Sequence, residues 1–167
     1  MHNNHWSTNR VFVCERAAAW SSINTRYFGR LRVSSLSDEP LDASLDAYDV
    51  GALRMFRITA PAHHVARDTS CGELPTDDFY KLVLQVSGRG IVEQHRRRVE
   101  LSPGQWILYD PRDPYEITNP ERCTLLVTQV PRAPFGPQAF RPACRANRAR
   151  QRRRPAQCLR HLPARAE

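Results

Sequence analysis

LSPGQWILYDPRDPYEI, residues 101–117, decides how the rest of the chain is read. Pro103 and Gly104 suit the middle of a type II turn, because proline fixes the first φ and glycine takes the positive second one. QWILYD then reads as a strand and PRDP as another turn. Neighbouring side chains on a strand point to opposite faces, so Trp106 shares a face with Leu108 and Tyr109 shares the other with Ile107. Only one of the two aromatic residues can face an interior. Asp110 and Asp113 are close enough for a carboxylate pair, yet aspartate beside proline in a turn usually caps backbone N–H groups. That structural role is the expectation for Asp110. Arg112 and Tyr115 are expected to complete the corner, with the tyrosine hydroxyl bonded to backbone.

Working outward, the same period of two recurs. LDASLDA (41–47) alternates apolar and polar residues strictly, YDVG (48–51) reads as a turn, and LRMFRIT (53–59) as the partner strand. FYKLVLQVS (79–87) is a further strand, turned by SGRG (87–90) into IVEQHRRRVEL (91–101), and CTLLVTQV (123–130) is the last. Strands spaced roughly 8–12 residues apart with Gly/Pro turns indicate an antiparallel sandwich or barrel. Before them, VCERAAAWSSINT (13–25) carries the one helical pattern, with Val13, Ala17, Trp20 and either Ile23 or Asn24 on one face. Trp20 is its expected anchor.

The order of these pieces resembles the N-terminal sensor domain of AraC-type transcription regulators, the AraC-binding-like group with a cupin-type β-barrel. Five features carry the resemblance: the early helix with Trp20, the hairpin LDASLDAYDVGALRMFRIT, YKLVLQVSGRGIVEQ, LSPGQWILYDPRDPYEI, and LLVTQVPR ending at Arg132. It implies a cupin-like barrel behind one helix over residues 13–132, serving ligand sensing and dimerisation, with a flexible N-terminus at 1–12. It also implies a small-molecule effector and pairing as a homodimer, or as a heterodimer with an intact regulator. Family members normally continue into a helix-turn-helix domain that reads the DNA major groove. Here residues 133–167 stand instead, so no sequence-specific DNA binding is expected of this chain alone.

That last segment differs in kind. The formal net charge is +8, but residues 1–132 hold 16 Lys+Arg against 16 Asp+Glu, while 133–167 hold 9 Arg and one acid, Glu167. Its apolar residues follow no period and prolines interrupt it, so a disordered Arg/Pro/Ala tail is expected. Lys81 is the only lysine, which points to a GC-rich coding sequence, and out-of-frame translation of such DNA would yield this mixture. The competing functional reading is a nonspecific nucleic-acid arm through Arg148, Arg150, Arg152, Arg153 and Arg154.

The 167 residues suffice for one compact domain. No apolar run is long enough for a membrane helix and the N-terminus has no apolar signal core, so a cytoplasmic location is expected. Cys14, Cys71, Cys123, Cys144 and Cys158 are odd in number and form no C-x-x-C pair, which favours scattered reduced thiols over disulfides or structural zinc.

Catalytic patterns are poor. Cupin-type barrels often hold a metal through H-x-H, but His63 and His64 are adjacent and point apart. Glu93 and His95 share a face with no third ligand nearby. No metal, no cofactor and no enzymatic activity is therefore expected. Ser70-Cys71-Gly72 lacks the G-x-S-x-G elbow, and SGRG lacks the lysine and length of a phosphate loop. A less favoured alternative is a metal-dependent cupin enzyme. A binding pocket is the better expectation, since small barrels can enclose one ligand. Its candidate residues are Tyr80, Gln85, His95, Trp106 and Tyr109; Trp106 and Tyr109 are also readable as core, and His95 as a strand-edge residue facing solvent beside Arg96–Arg98.

Overall fold

The computed structural model describes residues 3–68, 79–133 and 147–148. Two antiparallel sheets close around one core. The larger runs, in spatial order, β1 (Asn3–Ser7), β3 (Ser44–Val50), β4 (Leu53–Ala60), β11 (Cys123–Pro131), β6 (Phe79–Ser87), β9 (Gln105–Tyr109) and β12 (Asn147–Arg148). The smaller runs β2 (Arg32–Ser35), β5 (His63–Arg67), β10 (Tyr115–Asn119), β7 (Gly90–Gln94) and β8 (Arg97–Leu101). One α-helix, α1 (Arg16–Phe28), precedes nearly all of them. The expected mainly-β architecture behind one helix is the one observed.

Turn chemistry sets the register. Gln105 N–H donates to the Ser102 carbonyl at 2.9 Å around Pro103 and Gly104, whose φ of 82° is the positive angle a type II turn needs. β3 and β4 are joined through Gly51 and Ala52, and Gly51 at φ 60° in the first loop position fits a II′ hairpin. The strand thus begins three residues later than its alternation suggested and extends through the expected YDVG turn. A larger difference lies in 91–101, which is a hairpin and not one strand. Gln94 pairs with Arg97, and the intervening His95 and Arg96 both take positive φ, 52° and 61°. Two such residues form a type I′ turn, a conformation normally signalled by Asn or Gly.

Helix α1 also shifts. Val13, Cys14 and Glu15 form a 3-10 turn, so the α-helix starts at Arg16 and its buried stripe is Trp20, Ile23, Asn24 and Phe28. Val13 and Ala17 are exposed, because that stripe begins at Trp20, two turns later than expected. Phe28 and Tyr27 pack on the fully buried Phe56, with ring centroids 4.8 and 5.2 Å apart, and Trp20 stacks on Trp6 at 5.7 Å. Burying side chains of this size contributes about 1.5–3 kcal/mol each. Gly29 ends the helix at φ 75°, and a Cβ there would lie 3.2 Å from the Arg67 guanidinium.

The N-terminal segment supplies β1, paired with β3 from Asn3↔Tyr48 to Ser7↔Ser44. Thr8 is fully buried, its hydroxyl bonding the carbonyls of Leu41 and Ala43. Of residues 133–167, only Ala133 and the two of β12 are described. Asn147 pairs with Trp106 and Arg148 with Gln105, while Arg150, Arg152, Arg153 and Arg154 lie outside the described residues, as do Cys71, Cys144 and Cys158. The described helix is not long and apolar enough to cross a membrane.

Candidate functional site

Alternation and register stack the interior into three levels. In the larger sheet, Lys81 pairs with Tyr109 and Gln129, Val83 with Ile107 and Val127, and Gln85 with Leu125. In the smaller sheet, Tyr115 pairs with Arg67 and Gln94, Ile117 with Val65 and Val92, and Asn119 with His63. Two polar levels therefore sandwich an apolar belt. Contacts between the sheets join the first: Lys81 Nζ donates to the Tyr115 hydroxyl at 3.1 Å, and the Tyr109 and Tyr115 rings sit 4.8 Å apart.

A cavity of about 50 Å³ lies among these levels. Trp20, Asn24 and Phe28 of α1 cover one side of it. Val83, Ile117, Leu125 and Val127 form its apolar wall, and Lys81, Tyr109 and Tyr115 stand at one polar end with His63 and Asn119 at the other. A wider cleft of about 210 Å³ opens between the start of α1 and β2, lined by Val13, Ala17, Val33 and Leu41. Trp20 and His63 line both spaces and so stand where the cleft meets the interior.

The electrostatics of the first polar level are one-sided. Lys81 is 2% exposed, with its ammonium 5.0 Å from the Phe28 ring centroid and 5.4 Å from that of Tyr115. Arg67, 3% exposed, donates to the Phe28 carbonyl at 3.0 Å, and its Nε has no hydrogen-bond partner. Among the described residues neither cation forms an ion pair with a carboxylate, and none of the Asp or Glu residues lines the cavity. Burial pushes the Tyr109 phenol well above its ordinary range, and neighbouring Tyr115 adds to this while Arg67 opposes it.

The other polar level is neutral. His63 Nδ1 lies 2.7 Å from the Pro61 carbonyl, so it must donate, which leaves Nε2 to accept from Asn119 Nδ2 at 3.2 Å. Burial lowers the His63 pKa against the pull of the Pro61 hydrogen bond, which agrees with a neutral ring. Asn119 is fully buried and its Oδ1 has no hydrogen-bond partner. Gly90 leaves room here, since a Cβ would come within 2.7 Å of Gln85 Oε1 and 3.1 Å of Asn119 Oδ1 and displace those side chains.

Of the five candidate ligand residues, the structure brings only Tyr109 to the cavity. Gln85 points inward but lies outside the lining, its amide donating to the Ser87 carbonyl at 3.0 Å. Tyr80 points the other way and stacks under the Arg132 guanidinium, 3.9 Å from the ring centroid. Trp106 is half-buried on the outer face, next to β12. His95 sits in the exposed I′ turn and pairs with Asp113 at 3.0 Å, so it shares no strand face with Glu93. Lys81, His63, Tyr115 and Asn119 were missed. For Lys81 the signal was present, because alternation in FYKLVLQVS puts it on the face of Val83 and Gln85.

The aspartate corner is structural. Asp110 Oδ1 accepts from Arg112 N–H at 3.0 Å and also pairs with Arg132, while Oδ2 takes Arg112 Nη2 at 3.1 Å. Burial raises the Asp110 pKa, but the hydrogen bonds from Arg112 and Arg132 outweigh it and leave the carboxyl below its ordinary range. Tyr115 is not tied to backbone as expected; its hydroxyl accepts from Lys81. His63 and His64 do point apart, and His64 meets Glu116 at 3.4 Å outside the barrel. Among the described residues no group of three or more His, Cys, Asp and Glu could hold a metal ion. Cys123 is fully buried, and burial pushes its thiol up to about 12.

Comparison with known proteins agrees with this architecture. The AraC-binding-like domain model matches residues 20–167. A protein from Bacillus sp. (strain OxB-1), described as an uncharacterized protein in the nit 5′ region, is 25% identical over 126 residues, 75% of this chain and 49% of its own length. The crystal structure of the AraC-like transcriptional activator CuxR superposes with a TM-score of 0.68 at 19% identity, over 80% of this chain and 49% of that one. The chain thus spans about half the length of these relatives. With the match extending over most of its residues, the chain belongs to the AraC-binding-like domain family.

Proposed function

We propose that this chain is the effector-sensing and dimerisation part of a transcription regulator, acting by binding and not by catalysis. The family match and the fold support a ligand-binding regulatory domain. The observation that carries the finer reading is the barrel cavity roofed by α1, with polar groups at both ends and an apolar belt between. A packed core rarely leaves a buried lysine and an orphaned amide oxygen beside one void. A site that receives a ligand does.

The roof gives occupancy a route outward. Trp20 and Phe28 touch the cavity from α1, and the segment just before α1 exposes Phe12 (79%) and Val13 (59%). An effector under α1 would favour one placement of the helix over another, and a pairing surface next to it would respond. The sensor is proposed to work in the cytoplasm with a small-molecule effector and a second regulator subunit. It needs no cofactor for this.

The test is a screen of small acids, alcohols and amides against the purified chain by ligand-observed NMR, repeated with Val83→Phe. That substitution fills the apolar belt. At least one compound should bind the native chain and lose binding in the variant. Binding that is indifferent to Val83→Phe would remove the cavity from the account.

A further inference from the structure

We propose that the barrel takes a small organic monocarboxylate, its carboxylate on Lys81 and its apolar body along Val83 and Ile117. This rests on the reading of the cavity as the effector site, and it names the chemistry of the effector. The first observation is the unbalanced charge. Lys81 is buried at 2% exposure, and the chain's only lysine has no carboxylate partner among the described residues. Its one hydrogen bond goes to the Tyr115 hydroxyl, which leaves further ammonium donors unused. Arg67 stands behind it, equally buried, bound to a backbone carbonyl and likewise without an acid.

The described acids adjacent in sequence to this cluster are engaged elsewhere, Asp68 with Arg32 and Asp110 with two arginines. Asp110 is adjacent in sequence to Tyr109, yet both its oxygens are held by Arg112 and Arg132. Burying a charge is tolerated when a counter-charge completes it. Among the described residues the interior supplies two cations and no anion, and the partner assigned to them is a ligand carboxylate. Ammonium to carboxylate is a charge-assisted contact, and the Tyr115 hydroxyl beside it can turn its own proton to the same anion.

The second observation sets the rest of the molecule. Between the polar levels the wall is aliphatic, with the Trp20 and Phe28 rings closing it, so the body of the ligand is apolar; the void of about 50 Å³ is smaller than that body, and α1 must lift for it to enter. Four residues separate Tyr115 from Asn119 along β10, about 13 Å of strand. At that far end Asn119 Oδ1, fully buried and unpartnered, asks for a donor. A hydroxyl on the end opposite the carboxylate fits it. Inorganic anions lack the body, and neutral aliphatics lack the charge.

The experiment is calorimetric titration of the full chain with butyrate, benzoate and 4-hydroxybenzoate, each acid run beside its primary amide. Carboxylates should bind about ten- to a hundredfold more tightly than their amides, the worth of one charge-assisted hydrogen bond. 4-Hydroxybenzoate should exceed benzoate. Lys81→Met should erase the preference for acid over amide, and Lys81→Arg should keep it. Circular dichroism confirms that both variants fold. Equal affinity for acid and amide, or a preference that survives Lys81→Met, overturns the proposal while leaving the cavity as a binding site. Binding by the amides alone does the same. Silence from all the acids and amides overturns the proposal and the interior site together.

Discussion

Replacing Lys81 by methionine should make the unliganded chain more stable. Methionine matches the length of the lysine stem and fills the same space, so the change removes the ammonium without opening a void. What is lost is one hydrogen bond to Tyr115, worth about 2 kcal/mol with a charged donor. Two ring contacts, at 5.0 and 5.4 Å, also go, together worth about 1 kcal/mol beyond what a thioether recovers against the same rings. What is relieved is the desolvation of an ammonium 2% exposed with no carboxylate beside it, an effective penalty of several kcal/mol. The balance favours the variant by about 1–3 kcal/mol, a rise in Tm of roughly 3–10 °C for a domain of this size. Urea unfolding followed by circular dichroism measures it, with an unchanged m-value showing that the same structure unfolds. A variant less stable than the native chain by more than about 1 kcal/mol would refute the reasoning, because Lys81 would then be a structural keystone.

Three further outcomes follow from the polar groups. Asp110→Asn strips the carboxylate from the nearly buried Arg132 and should cost about 2–4 kcal/mol at neutral pH by urea unfolding. Because the folded Asp110 pKa is depressed, its contribution is full above the unfolded value of about 3.9 and fades as pH falls through the folded one, so the native and variant curves should converge in acid. For His63 the folded pKa is again lowered, and the unfolded chain takes up the proton first. Native stability should fall as pH drops below about 6.5, by at most about 1.4 kcal/mol per pH unit from this residue, and His63→Gln should lack that part of the slope in paired pH-dependent melts. Cys123 should resist alkylation at neutral pH while exposed Cys14 reacts, as read by peptide mapping with and without urea.

Local chemistry made much of this fold legible. Phe79–Ser87 was readable to the residue because it is rich in aliphatic and aromatic residues, and Pro103-Gly104 because only one turn type suits that pair. The β7–β8 hairpin was hidden, since His95 and Arg96 carry positive φ without the Asn or Gly that usually announces it. β10 was hidden because its five residues, YEITN, follow directly on the PRDP turn and carry no clean alternation through Asn119. For the site, alternation separated Trp106 from Tyr109 and His63 from His64, but which face meets the core depends on how two sheets close. Only the packing of one sheet on the other brings Tyr115 of β10 to Lys81 of β6, 34 residues apart. Lysine is also a residue expected outside, and an interior lysine becomes visible only when its strand is known to be buried on that face.

The central claim is that an effector binds inside the barrel beneath α1. Methyl-labelled NMR of the full chain, with the compound that Val83→Phe excludes, tests it most directly. Intermolecular NOEs should appear from Val83, Ile117, Leu125 and Val127, with shifts in Trp20 of the roof. NOEs confined to outward methyls such as Val50 and Val86, with the four interior residues silent, would contradict it.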